Sequence, residues 1–156
     1  NIMVLIMDKL PEDIKLKILS YTYKPQPKIL LDDLDSFLTS KSLLIKMYKA
    51  LFGNETDGSN AYTDWLLNDT ISFMNDYIAT MNGYTNKHYN YWKRLMTLKY
   101  KTNKEIYRKT LFIDSIKTSM DATNIRLALL NHNERMDFIG SIAKVLYASG
   151  ELTMTN

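Results

Sequence analysis

The sequence contains no cysteine. This excludes a disulfide framework, a thiolate metal site and a cysteine nucleophile. Histidine is nearly absent too. His88 and His132 are the only two, and neither has another histidine or a carboxylate at helical metal-ligand spacing. Both are expected to be structural or surface side chains. The five glycines are scattered, so there is no glycine-rich phosphate loop, and no G-x-S-x-G elbow occurs. The longest apolar run, residues 2–7, is far short of the roughly 20 residues that span a bilayer. It also lacks a basic leader, and Met7-Asp8-Lys9-Leu10-Pro11 reads as a natural start.

What is present suits one globular domain. Apolar residues make up 46% of the 156, enough for a core and too many for a disordered tail. The formal net charge of +3 is unevenly placed. Residues 87–109 hold eight basic side chains against one acid, Glu105, so this segment carries +7 and the remainder −4.

Helical periodicity dominates, with no run of strict alternation. Pro11 suits a first helical position, and Glu12 and Asp13 complement the positive helix end. Pro25 and Pro27 break that helix. The clearest element follows. Leu30, Leu34, Phe37, Lys41, Leu44, Tyr48 and Leu51 step by four and three, flanked by Leu31, Leu38, Ile45 and Phe52. A third helix is predicted over 61–80 on Leu67, Ile71, Met74 and Ile78, closing at the turn dipeptide Asn82-Gly83. Shorter helices are predicted over 87–98, with His88, Tyr91 or Trp92, Leu95 and Leu98 on one side, and over 103–117, with Ile106, Ile113 and Ile116. A terminal hairpin uses Ile125, Leu129 and Leu130, then Phe138, Ile142 and Val145 or Leu146. Asn131 and Glu134 have the spacing of a capping box at the second arm. The expected fold is all-α, a compact bundle of about six helices with an extended N-terminal arm. Residues 1–9 form the arm, 10–150 the domain and 151–156 a tail. Leu34, Phe37, Leu44, Leu51, Leu67, Ile71, Met74 and Ile78 are the expected core.

Candidate chemistry is sparse. Asp32-Asp33-x-Asp35 is dense, but neighbouring positions point to different helix faces, and Asp69 and Asp76 lie two turns apart. Solvated faces account for both groups. The expectation is therefore a non-enzymatic chain with no cofactor and no metal. The basic segment, with Lys93, Arg94, Lys99, Lys101, Lys104, Arg108 and Lys109 among tyrosines, has a composition that nucleic acid would accept. Trp92 and Tyr91 fall on a stripe with Leu95, however, and are better read as core. Nucleic acid therefore ranks below protein as a partner, and the segment is a possible basic patch.

The N-terminal stretch Leu10-Pro11-Glu12-Asp13-Ile14-Lys15-Leu16-Lys17-Ile18-Leu19-Ser20-Tyr21 resembles the opening of an F-box, whose short helix carries Ile and Leu pairs onto an adaptor protein. An F-box ends near a Trp, whereas this chain continues Phe37-Leu38-Thr39-Ser40-Lys41. The next stretch, through Lys24-Pro25-Gln26-Pro27, together with Trp65-Leu66-Leu67-Asn68-Asp69 and Met81-Asn82-Gly83-Tyr84, is similar to small helical proteins of nucleocytoplasmic large DNA viruses. That resemblance implies a viral source and a protein-binding role, with synthesis in the host cytoplasm. The expectation drawn from it is a minor capsid component of the virion that binds major or minor capsid proteins. The alternative is an F-box-like adaptor that recruits host ubiquitin ligase machinery. The residues expected to bind protein are Ile2, Val4, Leu5, Ile6, Leu10, Pro11, Ile14 and Ile18.

Overall fold

The computed structural model describes residues 11–14, 17, 26–52 and 61–148. The fold is all-α, and no strand occurs among the described residues. The chain divides into two compact units, Asn1–Asp32 and Asp33–Asn156.

In the first unit Pro11 precedes a helical turn over 12–14, in which the Ile14 N–H donates to the Pro11 carbonyl at 3.1 Å. Pro27 starts helix α1, Lys28–Phe52, and its carbonyl accepts from Leu30 at 2.9 Å and Leu31 at 3.2 Å. Lys28 and Asp32 form an exposed i,i+4 pair, a contact of small energetic weight.

The second unit holds the rest of α1, then α2 (Ala61–Met74), a 3-10 turn (Thr80–Asn82), α3 (Asn86–Trp92), α4 (Asn103–Ile116), α5 (Ser119–Leu129) and α6 (His132–Ala148). Caps set the starts. Thr85 caps α3 and Thr118 caps α5 through their hydroxyls. The expected reciprocal pair opens α6: the Glu134 N–H donates to Asn131 Oδ1 at 3.0 Å, and the Asn131 N–H donates to Glu134 Oε2 at 2.8 Å. A second capping box, Thr102 with Glu105, opens α4. The same T-x-x-E pattern stands in the sequence there and could have been read.

α2 and α5 form the most extensive helix pair. The core gathers Leu44 and Tyr48 of α1, Leu66 and Met74 of α2, Trp92 of α3, Ile106 of α4, Leu127 of α5 and Phe138 of α6. Of the expected core residues, Leu44 and Met74 are fully buried, while Phe37, Leu51, Leu67 and Ile71 are half-buried. Leu34 and Ile78 are corrections, exposed at 49% and 45%. On α2 the buried row is Leu66, Thr70, Phe73 and Met74. Thr70 fits inside it because its hydroxyl donates to the Leu66 carbonyl at 2.6 Å, which satisfies its one polar group.

α2 ends at Met74 rather than near residue 80. Asp76 and Tyr77 both take left-handed backbone conformations, φ 55° and 58°, which a helix cannot accommodate. Fully buried Asn75 stabilises this reversal. Its Nδ2 donates to the Ile78 carbonyl at 2.7 Å and the Gly83 carbonyl at 3.2 Å, and its Oδ1 accepts from the Thr85 N–H at 2.7 Å. Gly83, at φ +91°, supplies the turn expected at Asn82-Gly83. The helix expected over 87–98 is also shorter, and residues beyond Trp92 form successive turns. Tyr91, Trp92 and Leu98 are buried there, whereas Leu95 faces out.

Candidate functional site

Two of the four arginines are fully buried, each with a carboxylate partner. Arg126 on α5 grips Asp114 of α4 with both carboxylate oxygens, at 2.7 and 2.8 Å, and donates to the Ala122 carbonyl. Its guanidinium lies 5.5 Å from the centre of the Trp92 ring. The Trp92 indole N–H donates to His88 Nε2 at 3.1 Å, which places the neutral imidazole proton on Nδ1, and Tyr84 stacks on His88 at 3.9 Å. Burial and the nearby Arg126 charge push His88 down to about 4. This is a structural histidine in an aromatic and cationic cage.

Arg135 on α6 donates to the Leu127 and Leu130 carbonyls, to the Asp33 carboxylate and carbonyl, and to Ser36 Oγ at 3.2 Å. Ser36 also bonds His132 Nδ1 at 2.7 Å. Asp33, expected on a solvated face, keeps half of its side chain in solvent while it bonds Arg135. Asp33 and Ser36 of α1 bond Arg135, and Ser40, one turn further on, is buried. Leu34, Leu38 and Leu43 are exposed at 49%, 61% and 41%. The first unit likewise exposes Ile29, Leu30 and Leu31. No hydropathy pattern reveals this, since the sequence places Leu30, Leu31, Leu34 and Leu38 on one wide apolar face.

Of the residues expected to bind protein, Pro11 and Ile14 are exposed, Ile14 at 40%. Ile2, Val4, Leu5, Ile6, Leu10 and Ile18 lie outside the described residues, as do the arm and the tail.

Within the basic segment Arg94 and Lys101 are paired with carboxylates. Arg94 forms a two-point pair with Glu134 at 2.5 and 2.7 Å and donates to the Leu129 carbonyl. The pair raises the Arg94 pKa and lowers that of Glu134. Lys101 pairs with Glu105 at 3.0 Å, and the Thr102 backbone N–H with Lys101 holds Glu105 down to about 2. Lys93 is half-buried and Lys99 sits beside the Tyr100 ring. Lys104, Arg108 and Lys109 of α4 remain exposed, alongside Tyr107, Leu111 and Phe112, and Lys109 lies 5.2 Å from the Phe112 ring centre.

Among the described residues no three metal-ligating side chains converge, and no helix is long and apolar enough to cross a membrane. No protein-family model, curated protein or solved structure matches this chain.

Proposed function

We propose that this chain is a non-enzymatic interaction protein of a large DNA virus, a minor capsid component that binds capsid proteins. The observation that carries the reading is the exposure of Leu34 and Leu38, one turn apart on α1. Leucines at helical spacing outside a core are what a docking helix presents to a partner. The resemblance along Lys24-Pro25-Gln26-Pro27 and the other viral-like stretches supplies the virion setting. A paired substitution, Leu34→Asp with Leu38→Asp, should leave the far-ultraviolet circular dichroism of the full chain unchanged while lowering its abundance in purified particles. Deleting residues 1–6 should likewise weaken incorporation and leave the melting temperature nearly unchanged. Full incorporation of both variants would remove the reading.

A second reading is an F-box-like adaptor for host ubiquitin ligase machinery. It is favoured by Ile14, exposed one turn after Pro11 in the motif helix. Recovery of ligase subunits with the wild-type chain, lost on Ile14→Asp, would move the assignment there. Weak nucleic-acid binding through α4 ranks third.

A further inference from the structure

The end of α1, the middle of α2, the reversal after it and the middle of α6 line a cavity of about 410 Å³. Pockets that enclose small organic ligands run from roughly 300 to 1,000 Å³. Leu51, Phe52, Ile142 and Val145 give it apolar walls. The Phe52 ring is fixed in place, stacked on Trp65 with 5.4 Å between centroids and 8° between planes, and tilted against Tyr48 at 6.1 Å. Tyr77 and Val145, exposed at 60% and 62%, stand at the rim.

Asp69 is set in this lining. Its Oδ2 accepts the Tyr48 hydroxyl at 2.5 Å, and Tyr48 itself is only 1% exposed. Burial and the Asp69 contact push the Tyr48 pKa far above the ordinary tyrosine value, so the phenol keeps its proton and contributes no charge to offset the carboxylate. No cation among the described residues does so either. Among the described residues of this unit the ion pairs use Asp33, Asp76, Glu105, Asp114 and Glu134 instead. The Tyr48–Asp69 bond by itself could serve as a pin between α1 and α2. A pin does not need an unpaired carboxylate facing an apolar, aromatic-walled space.

We infer that this cavity binds a small organic cation, a primary or secondary ammonium carried on an aromatic or branched apolar body. The ammonium donates to the Asp69 carboxylate, a charge-assisted bond stronger than a neutral one, and lies against aromatic faces that favour a cation. The body of the ligand replaces water along Leu51, Ile142 and Val145.

The test uses the full chain and three probes of matched size: 2-phenylethylammonium, the neutral 2-phenylethanol and the anion 3-phenylpropionate. Isothermal titration calorimetry at neutral pH should give saturable binding of the ammonium, at least tenfold weaker binding of the alcohol, and none of the anion. Asp69→Asn, which keeps the shape of the side chain, should reduce the ammonium to the level of the alcohol. Ser141→Leu, which fills the cavity from α6, should abolish both. The wild-type comparison of ammonium with alcohol decides the matter even if a variant fails to fold. Equal binding of ammonium and alcohol, or no saturation by about 10 mM, would overturn the inference.

Discussion

Arg135 and Asp33 stand 102 residues apart in the chain and meet as an ion pair between α6 and α1. The two ends are not equivalent. Arg135 is fully buried, whereas half of the Asp33 side chain reaches solvent.

That asymmetry sets the first prediction. Asp33→Ala removes the carboxylate from a buried guanidinium that keeps its bonds to the Leu127 and Leu130 carbonyls and to Ser36, and should cost about 1–3 kcal/mol. Arg135→Met leaves a carboxylate that water can hydrate and should cost less. Urea denaturation of both variants checks the order. A larger loss for Arg135→Met would mean that its bonds to the Leu127 and Leu130 carbonyls carry more than the ion pair.

α1 supplies a second comparison, between leucines on its two sides. Leu44 is fully buried, so Leu44→Ala should cost about 2–5 kcal/mol. Leu34→Ala and Leu38→Ala remove side chains already in solvent and should each change stability by less than about 0.5 kcal/mol. A large loss at Leu34 would place it in this chain's own core and weaken the docking role.

His88 predicts a pH dependence. Its folded pKa is lowered to about 4 from an ordinary 6.5. Between those values the unfolded chain holds a proton that the folded chain does not, so stability falls as pH drops from about 6.5 toward 4. The full effect is roughly 3 kcal/mol. His88→Gln can still accept from the Trp92 indole but does not titrate. Its stability should therefore be flatter across that window in chemical denaturation, and an unchanged slope would assign the dependence to other groups.

Nucleic-acid affinity, if carried by Lys104, Arg108 and Lys109, should vary steeply with salt. Three phosphate contacts give a log–log slope of about −2 to −3, and binding should vanish by about 0.2 M. Fluorescence anisotropy with a labelled single strand measures this directly. Sequence-selective binding that survives such salt would promote the third reading above the other two.

Much of the local structure was legible because it depends on neighbours in the chain. Pro27, the Asn131–Glu134 caps and the Asn82-Gly83 turn act over a few residues, and the sequence determined the all-α class and the approximate start of α1, α4 and α6. What it did not determine is which side of α2 faces inward, or that Leu34 and Leu38 at the start of the α1 stripe stay exposed while Leu44 and Tyr48 are buried. Arg126 and Arg135 look like surface residues until Asp114 and Asp33 are brought to them. Asn75 looks like a helix residue until the Ile78, Gly83 and Thr85 backbone groups surround it. A buried polar group is tolerated only when its partners arrive from elsewhere in the fold, so tertiary structure alone decided these positions. The Tyr48–Asp69 cavity belongs to the same class, since its walls come from α1, α2 and α6 and no segment of sequence contains it. The leucines of α1 show the consequence at the surface. Periodicity placed them on one stripe, and only its later part, Leu44 and Tyr48, meets the core that the other helices build, while Leu34 and Leu38 stay in solvent.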